Sequence, residues 1–255
     1  MGYQKFFTMS FDDGLEQDKR IIQILNQYGL KSTFNLNAGL TGAKNRVGRI
    51  GDVGFLNYPE GSTGFKTLFK SNAQHRIPAD EIAQVYAGFE IASHGYKHEA
   101  LGMIKAEQME ESIRKDIVGL SNLAGYPIVG HAYPGGSSSD KVAACLKKHG
   151  VIYAREVWWT STFAFPDNPL RYRATCMVHD KKLFELADRF VKAEPETDDL
   201  LFYIWGHGYE MDFGSELCSW KRFEQFCEKI AGHKDIVYCT NKQAFQNHLQ
   251  NNINR

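Results

Sequence analysis

The chain has 255 residues, of which 43% are hydrophobic, and its 30 basic and 30 acidic side chains leave a formal net charge of zero. That is enough apolar side chain for a sizeable core, and a barrel of this length commonly forms one domain, so residues 1–255 are expected to form a single domain. With no apparent lysine or arginine stripe, nucleic acid and anionic membrane are not indicated as partners, whereas a neutral sugar suits the charge balance.

Lys5 to Phe11 reads as a short apolar strand that runs into Asp12-Asp13-Gly14. Two adjacent carboxylates repel, and one pKa climbs unless a cation or a proton-transfer role accounts for the pair. An Asp-Gly turn closing a strand is the plainer reading of the same residues. Gln17 to Tyr28 places Ile21, Ile22, Leu25 and Tyr28 on one face, predicting an amphipathic helix stopped by Gly29, and Ser32 to Leu36 reads as the next strand. From about Gly39 to Ile77 the periodicity lapses. This insertion is rich in glycine and carries Arg46, Arg49, Tyr58 and Phe65. A segment this long suggests either a lid that shapes substrate choice or a structural cap.

A helix near Ala79 to Ala87 leads to the strand Phe89 to Ala92 and then to His94-Gly95-Tyr96-Lys97-His98. On a helical turn, histidines at this spacing share a face and can meet one ion, although such a pair taken alone is more often surface or capping decoration. After a helix over Lys105 to Ala124, the strand-like Pro127 to His131 opens onto Ala132-Tyr133-Pro134-Gly135-Gly136. Ser139 to His149 reads as helix, and Val151 to Ala154 as a strand ending at Arg155. In the loop beyond, Trp158 and Trp159 suit stacking on a sugar ring and packing under the loop equally. Lys181 to Ala193 reads as helix, and Leu200 to Trp205 as a buried strand ending in Gly206-His207. A neutral, hydrogen-bonded histidine is one reading of that end, but it leaves unexplained why three strand ends carry ligand or acid/base residues. Trp220 to Ala231, Ile236 to Cys239 and Asn241 to Leu249 complete a β/α alternation. It predicts a mainly parallel sheet flanked by helices, with the reactive side chains at carboxyl ends of strands, where barrel enzymes assemble their sites. Periodicity alone does not choose a barrel over an open sheet.

Together these motifs resemble those of the polysaccharide deacetylase family, the NodB-like carbohydrate esterases that remove N- or O-acetyl groups from sugars. Ser10-Phe11-Asp12-Asp13-Gly14 is similar to its first motif, which implies Asp12 as catalytic base and Asp13 as metal ligand. The second motif is kept in His94 and His98, implied as the other two ligands, with Gly95 where the family has a hydroxyl residue. Ala132 to Gly136 is the best equivalent of the third motif, but its arginine is missing. In the family that arginine holds the catalytic carboxylate, while a backbone N–H beside the proline binds the oxyanion, a role open to Gly135. The fourth motif normally supplies an aspartate for that arginine. Here Arg155 stands at the strand end instead and is read as a swapped charge that orients Asp12, a surface arginine being the plainer alternative. Trp205-Gly206-His207 matches the fifth motif loosely and implies His207 as general acid.

The resemblance covers nearly the whole chain except the insertion. It implies an α/β fold, a distorted seven-stranded (β/α) barrel, one divalent ion expected to be zinc, and an acetylated carbohydrate, and Tyr133, Trp158, Trp159 and Trp205 are the residues expected to meet that substrate. Rival readings are a metal-independent amidohydrolase of the allantoinase-like kind, a non-catalytic carbohydrate-binding protein and, last, a zinc peptidase, whose His-Glu-x-x-His glutamate is absent. The first residues enter a strand without the pattern of a secretory signal, and no transmembrane run is seen, so the cytoplasm is the expected location. Cys145, Cys176, Cys218, Cys227 and Cys239 are scattered with no Cys-x-x-Cys pair, which suits reduced thiols.

Overall fold

The computed structural model describes residues 2–50, 54–59 and 71–254. β1 (Lys5–Asp12) leads through α1 (Asp18–Gln27) to β2 (Thr33–Leu36). β3 (Lys44–Ile50), β4 (Gly54–Pro59) and β5 (Ser71–His75) then form a separate antiparallel sheet with β3 in the middle. The alternation resumes with α2 (Ile82–Val85), β6 (Glu90–Ser93), α3 (Ala106–Ala124), β7 (Gly130–Ala132), α4 (Asp140–Lys148) and β8 (Tyr153–Trp159). β9 (Tyr172–Ala174), β10 (Cys176–Met177), α5 (Leu183–Lys192), β11 (Leu200–Gly206), α6 (Gly208–Met211), α7 (Trp220–Ile230), β12 (Ile236–Tyr238) and α8 (Asn241–Ile253) complete the chain.

The main sheet is parallel and runs β10-β11-β1-β2-β6-β7-β8-β9, with β12 beside the start of β1. Only Thr175 separates β9 from β10, and its N–H donates to Tyr203 O of β11 at 2.8 Å, so the two ends of the path meet in a nearly closed barrel. Eight strands lie on this path rather than the expected seven because one strand is broken at Thr175. The helix expected near Ala79 to Ala87 is shorter, a 3-10 turn at Ala79–Glu81 followed by α2.

Strand pleating sorts the core into two clusters. Phe7, Met9 and Phe11 of β1, with Ala154 of β8 and Phe202 and Ile204 of β11, pack outward on helix residues such as Ile21, Leu25 and Phe226. The alternate residues Phe6, Tyr153, Leu201, Tyr203 and Trp205 form a smaller interior cluster. Because side chains alternate with a period of two, the inward set continues to Asp12, Arg155 and His207 at the carboxyl ends of these strands.

The inserted sheet is pinned beside that rim. An antiparallel bridge joins Leu15 to Arg76, Glu16 N–H donates to His75 O at 2.9 Å, and Ile77 N–H donates to Gly14 O at 2.9 Å. Leu15, Val47, Tyr209 and Phe213 close over the seam. Arg49 and Tyr58 fall on β3 and β4, while Phe65 lies outside the described residues. Among the described residues no helix is long and apolar enough to cross a membrane, and all five cysteines are free and buried.

Candidate active site

Asp12 is 2% exposed and bonded on both oxygens. Asn35 of β2 donates to Oδ1 at 2.7 Å, and Arg155 Nη2 donates to Oδ2. Burial raises the Asp12 carboxyl, but Arg155, His94, His207 and Asn35 outweigh it and hold the group below its ordinary value. Arg155 is itself buried, its guanidinium 4.0 Å above the Trp205 ring, so it is not a surface arginine.

Asp13, His94 and His98 present ligand atoms that all lie within 4.8 Å of one another. His94 Nδ1–H donates to Ala132 O at 2.8 Å, which leaves the Nε2 lone pair free for a ligand. Burial pushes His94 down to about 4, so it is neutral at ordinary pH. The helical turn considered for the pair is not formed. The segment after β6 is an irregular turn with Gly95 at φ +75° and His98 at φ +58°, held by Asn37 donating to Gly95 O at 2.7 Å and by Asp116 accepting from His94 N at 3.1 Å. Asp13 also has a positive φ, +82°, so two of the three candidate ligands occupy backbone regions that non-glycine residues rarely adopt, as at many functional sites. Two imidazoles with one carboxylate fit a divalent ion such as zinc. Asp13 is further engaged by the inserted sheet: Arg76 Nη2 donates to Oδ1 at 3.0 Å and Gln74 Nε2 to Oδ2 at 2.9 Å. Burial raises the Asp13 carboxyl, yet Arg76 and then the histidines hold it far below its ordinary value.

His207 follows β11, its Nε2 4.0 Å from Asp12 Oδ2. Its Nδ1 pairs with Glu210 Oε1 at 2.8 Å, and Glu210 Oε2 pairs with His179 Nδ1 at 2.7 Å. Burial opposes charge on His207, but Glu210, Asp12 and Asp13 raise it to about 9. Burial likewise opposes charge on Glu210, and the two histidines hold it down to about 2.

Gly135 lies exposed in the turn after β7, at φ +56°, and a Cβ on the next residue, Gly136, would fall 2.4 Å from Val157 Cγ2. Two residues expected at the substrate are placed elsewhere. Tyr133 points outward by strand parity, buried with its hydroxyl donating to Leu170 O at 2.6 Å. Trp205 is 4% exposed beneath Arg155, where it plugs the barrel rather than offering a face to sugar. Trp158 and Trp159 belong to β8 itself rather than to a loop, and are 63% and 43% exposed. Asn35, Gln74, Arg76, His179 and Glu210 were not anticipated from the sequence. Only Glu210, three residues past His207, and Asn35, a polar residue within an apolar strand, carry a local signal there.

The sequence model for polysaccharide deacetylases matches residues 2–154. No curated protein matches the chain by sequence. Among solved structures, a Mycobacterium smegmatis protein assigned as a polysaccharide deacetylase is 14% identical with a TM-score of 0.63, over 99% of this chain and 92% of that one. The peptidoglycan deacetylase PdaC of Bacillus subtilis is 11% identical with a TM-score of 0.55, over 98% of this chain and 95% of that one. The Streptococcus pyogenes deacetylase PplD, solved with acetate, is 14% identical with a TM-score of 0.48, and the match spans 64% of this chain and 61% of that protein. For the Mycobacterium smegmatis and Bacillus subtilis proteins, at such identities, the likeness is one of fold.

Proposed function

From the premise that this chain belongs to the polysaccharide deacetylase family of hydrolases, we propose that it is a metal-dependent enzyme removing N- or O-linked acetyl groups from a carbohydrate. The observation that carries the reading is the meeting of an arginine-bound carboxylate, Asp12, with the cluster Asp13, His94 and His98 and with a carboxylate-bound histidine, His207.

Asp13, His94 Nε2 and His98 would hold the ion, with zinc favoured by the donor set, and when bound it supplies Lewis acidity toward the acyl carbonyl. Asp12 accepts the proton of the attacking water, while Arg155 and Asn35 fix its carboxylate and keep it ionised. The Gly135 N–H donates to the carbonyl oxygen as negative charge develops there. As the C–N or C–O bond breaks, His207 passes its proton to the departing amine or alkoxide, and acetate and the deacetylated sugar leave. Glu210 keeps His207 protonated for that step. Trp158 and Trp159 offer exposed faces on which a sugar ring can stack. The free, buried cysteines suit a reducing, cytoplasmic setting.

The test is acetate release by zinc-loaded protein from acetylated chitooligosaccharide, acetylated xylan and peptidoglycan, with Asp13→Ala in parallel. Release that disappears together with bound zinc in the variant is expected. Saturable sugar binding without acetate release would replace the enzyme reading with that of a binding protein, and full activity in a metal-free parent would assign the metal-independent amidohydrolase.

A further inference from the structure

Asp12 and Asp13 are neighbours in sequence, yet each is matched with an arginine of its own, and the two arginines reach them from different parts of the fold. Arg155 comes from β8 inside the barrel, whereas Arg76 follows β5 of the inserted sheet, on the segment bridged to Leu15. Arg76 is 5% exposed, and its Nη2 donates to Asp13 Oδ1, the same oxygen that lies 3.9 Å from His98 Nε2. The other carboxylate oxygen is taken by Gln74. Asn45 of β3, its amide oxygen turned toward Arg76 Nη1 at 3.1 Å, holds the far side of the guanidinium. The oxygen of Asp13 that faces its fellow ligand therefore already carries a cationic partner.

We propose that Arg76 is a positioning residue that fixes Asp13 in its ligating orientation and at the same time lowers the affinity of the site for a divalent ion. The inference rests on the metal-dependent reading above. A dication entering between Asp13, His94 and His98 meets two carboxylates already offset by two buried guanidinium groups, and like charges repel strongly where water is excluded. A neutral donor on a ligating carboxylate still orients it but adds no charge repulsion, so a side chain that keeps a donor and loses the charge should let the site bind the ion more tightly.

The experiment measures the zinc dissociation constant of the full chain by competition with a chromophoric chelator, for the parent, Arg76→Gln, Arg76→Lys and Asn45→Asp. With the guanidinium's repulsion of the dication removed, Arg76→Gln is expected to bind zinc about tenfold more tightly, and Arg76→Lys, which keeps the charge, within about threefold of the parent. Asn45→Asp leaves Arg76 in place and sets an anion against it, so it too should tighten binding and serves if Arg76→Gln does not fold. A parent that takes up no zinc beside an Arg76→Gln that does would also support the proposal. Zinc affinity unchanged or weakened in both Arg76→Gln and Asn45→Asp, with a zinc-loaded parent, overturns this inference alone. Failure of every protein to bind zinc overturns it together with the metal-dependent reading.

Discussion

Glu90 at the amino end of the barrel and the Asp12–Asp13 pair at its carboxyl rim are buried equally well and treated in opposite ways. At the amino end, Glu90 is 6% exposed and accepts from the Thr33 hydroxyl at 2.7 Å, the Lys242 N–H at 2.9 Å and the Tyr153 hydroxyl at 2.8 Å. Burial raises its carboxyl above the ordinary value, and these neutral donors do not reverse the shift. At the carboxyl rim, Asp12 and Asp13 are as deeply buried, but each faces a guanidinium and both are held low. Burial alone therefore does not mark a reactive carboxylate. What sets the rim pair apart from Glu90 is a partner of full charge that keeps each group ionised, and only the ionised form can take a proton or hold a cation.

The sharpest way to break this contrast is to neutralise Asp12. Asp12→Asn is expected to lower acetate release about 10²–10⁴-fold with zinc content unchanged, as for loss of a general base. A variant near full turnover would make Asp12 another structural carboxylate. Arg155→Ala leaves that carboxylate buried and unpaired, with an expected loss of about 3–5 kcal/mol in urea unfolding and a severe fall in turnover at constant metal. Lost metal with unchanged turnover per bound ion would remove Arg155 from its role beside Asp12.

Glu210→Gln tests the same principle on a histidine. With a folded pKa of about 9 against an ordinary 6.5, His207 adds stability that is fully present below about 6.5 and lost as pH rises through about 9. In the variant the basic limb of kcat/KM should move to lower pH, and an unmoved limb would separate Glu210 from the protonation of His207. The smallest effect is expected at the amino end. In Glu90→Gln the amide oxygen can take the Thr33 and Lys242 donors while its NH2 donates to Tyr153, so unfolding free energy should change by about 1 kcal/mol and turnover not at all. A large loss of turnover there would erase the difference between the two ends.

Much of the site was legible because its signals are local. Asp12 and His207 stand where strand alternation reaches a turn, and the inward parity that carries Phe6 to Asp12 and Tyr203 to His207 follows from the pleat alone. The same parity turns Tyr133 outward, so its placement follows from the pleat too, against the place at the sugar that its motif implied. Trp205 is inward as well. Whether an inward tryptophan lines a pocket or plugs it depends on what sits above it, and that is Arg155, distant in sequence.

What the sequence by itself determined is most of the barrel strands, the helices between them and the residue types at the strand ends, since these depend on neighbours within one turn or one pleat, whereas β9, β10 and the inserted sheet were not read from it. Tertiary structure decided which charges meet. Arg76 reaches Asp13 from 63 positions away through an aperiodic insertion, and His179 reaches Glu210 from 31 positions away between two strand ends. No periodicity encodes such pairs, because they arise from where the closing barrel and the sheet bridged to Leu15 bring the backbone, and the electrostatics of the site follow from those encounters.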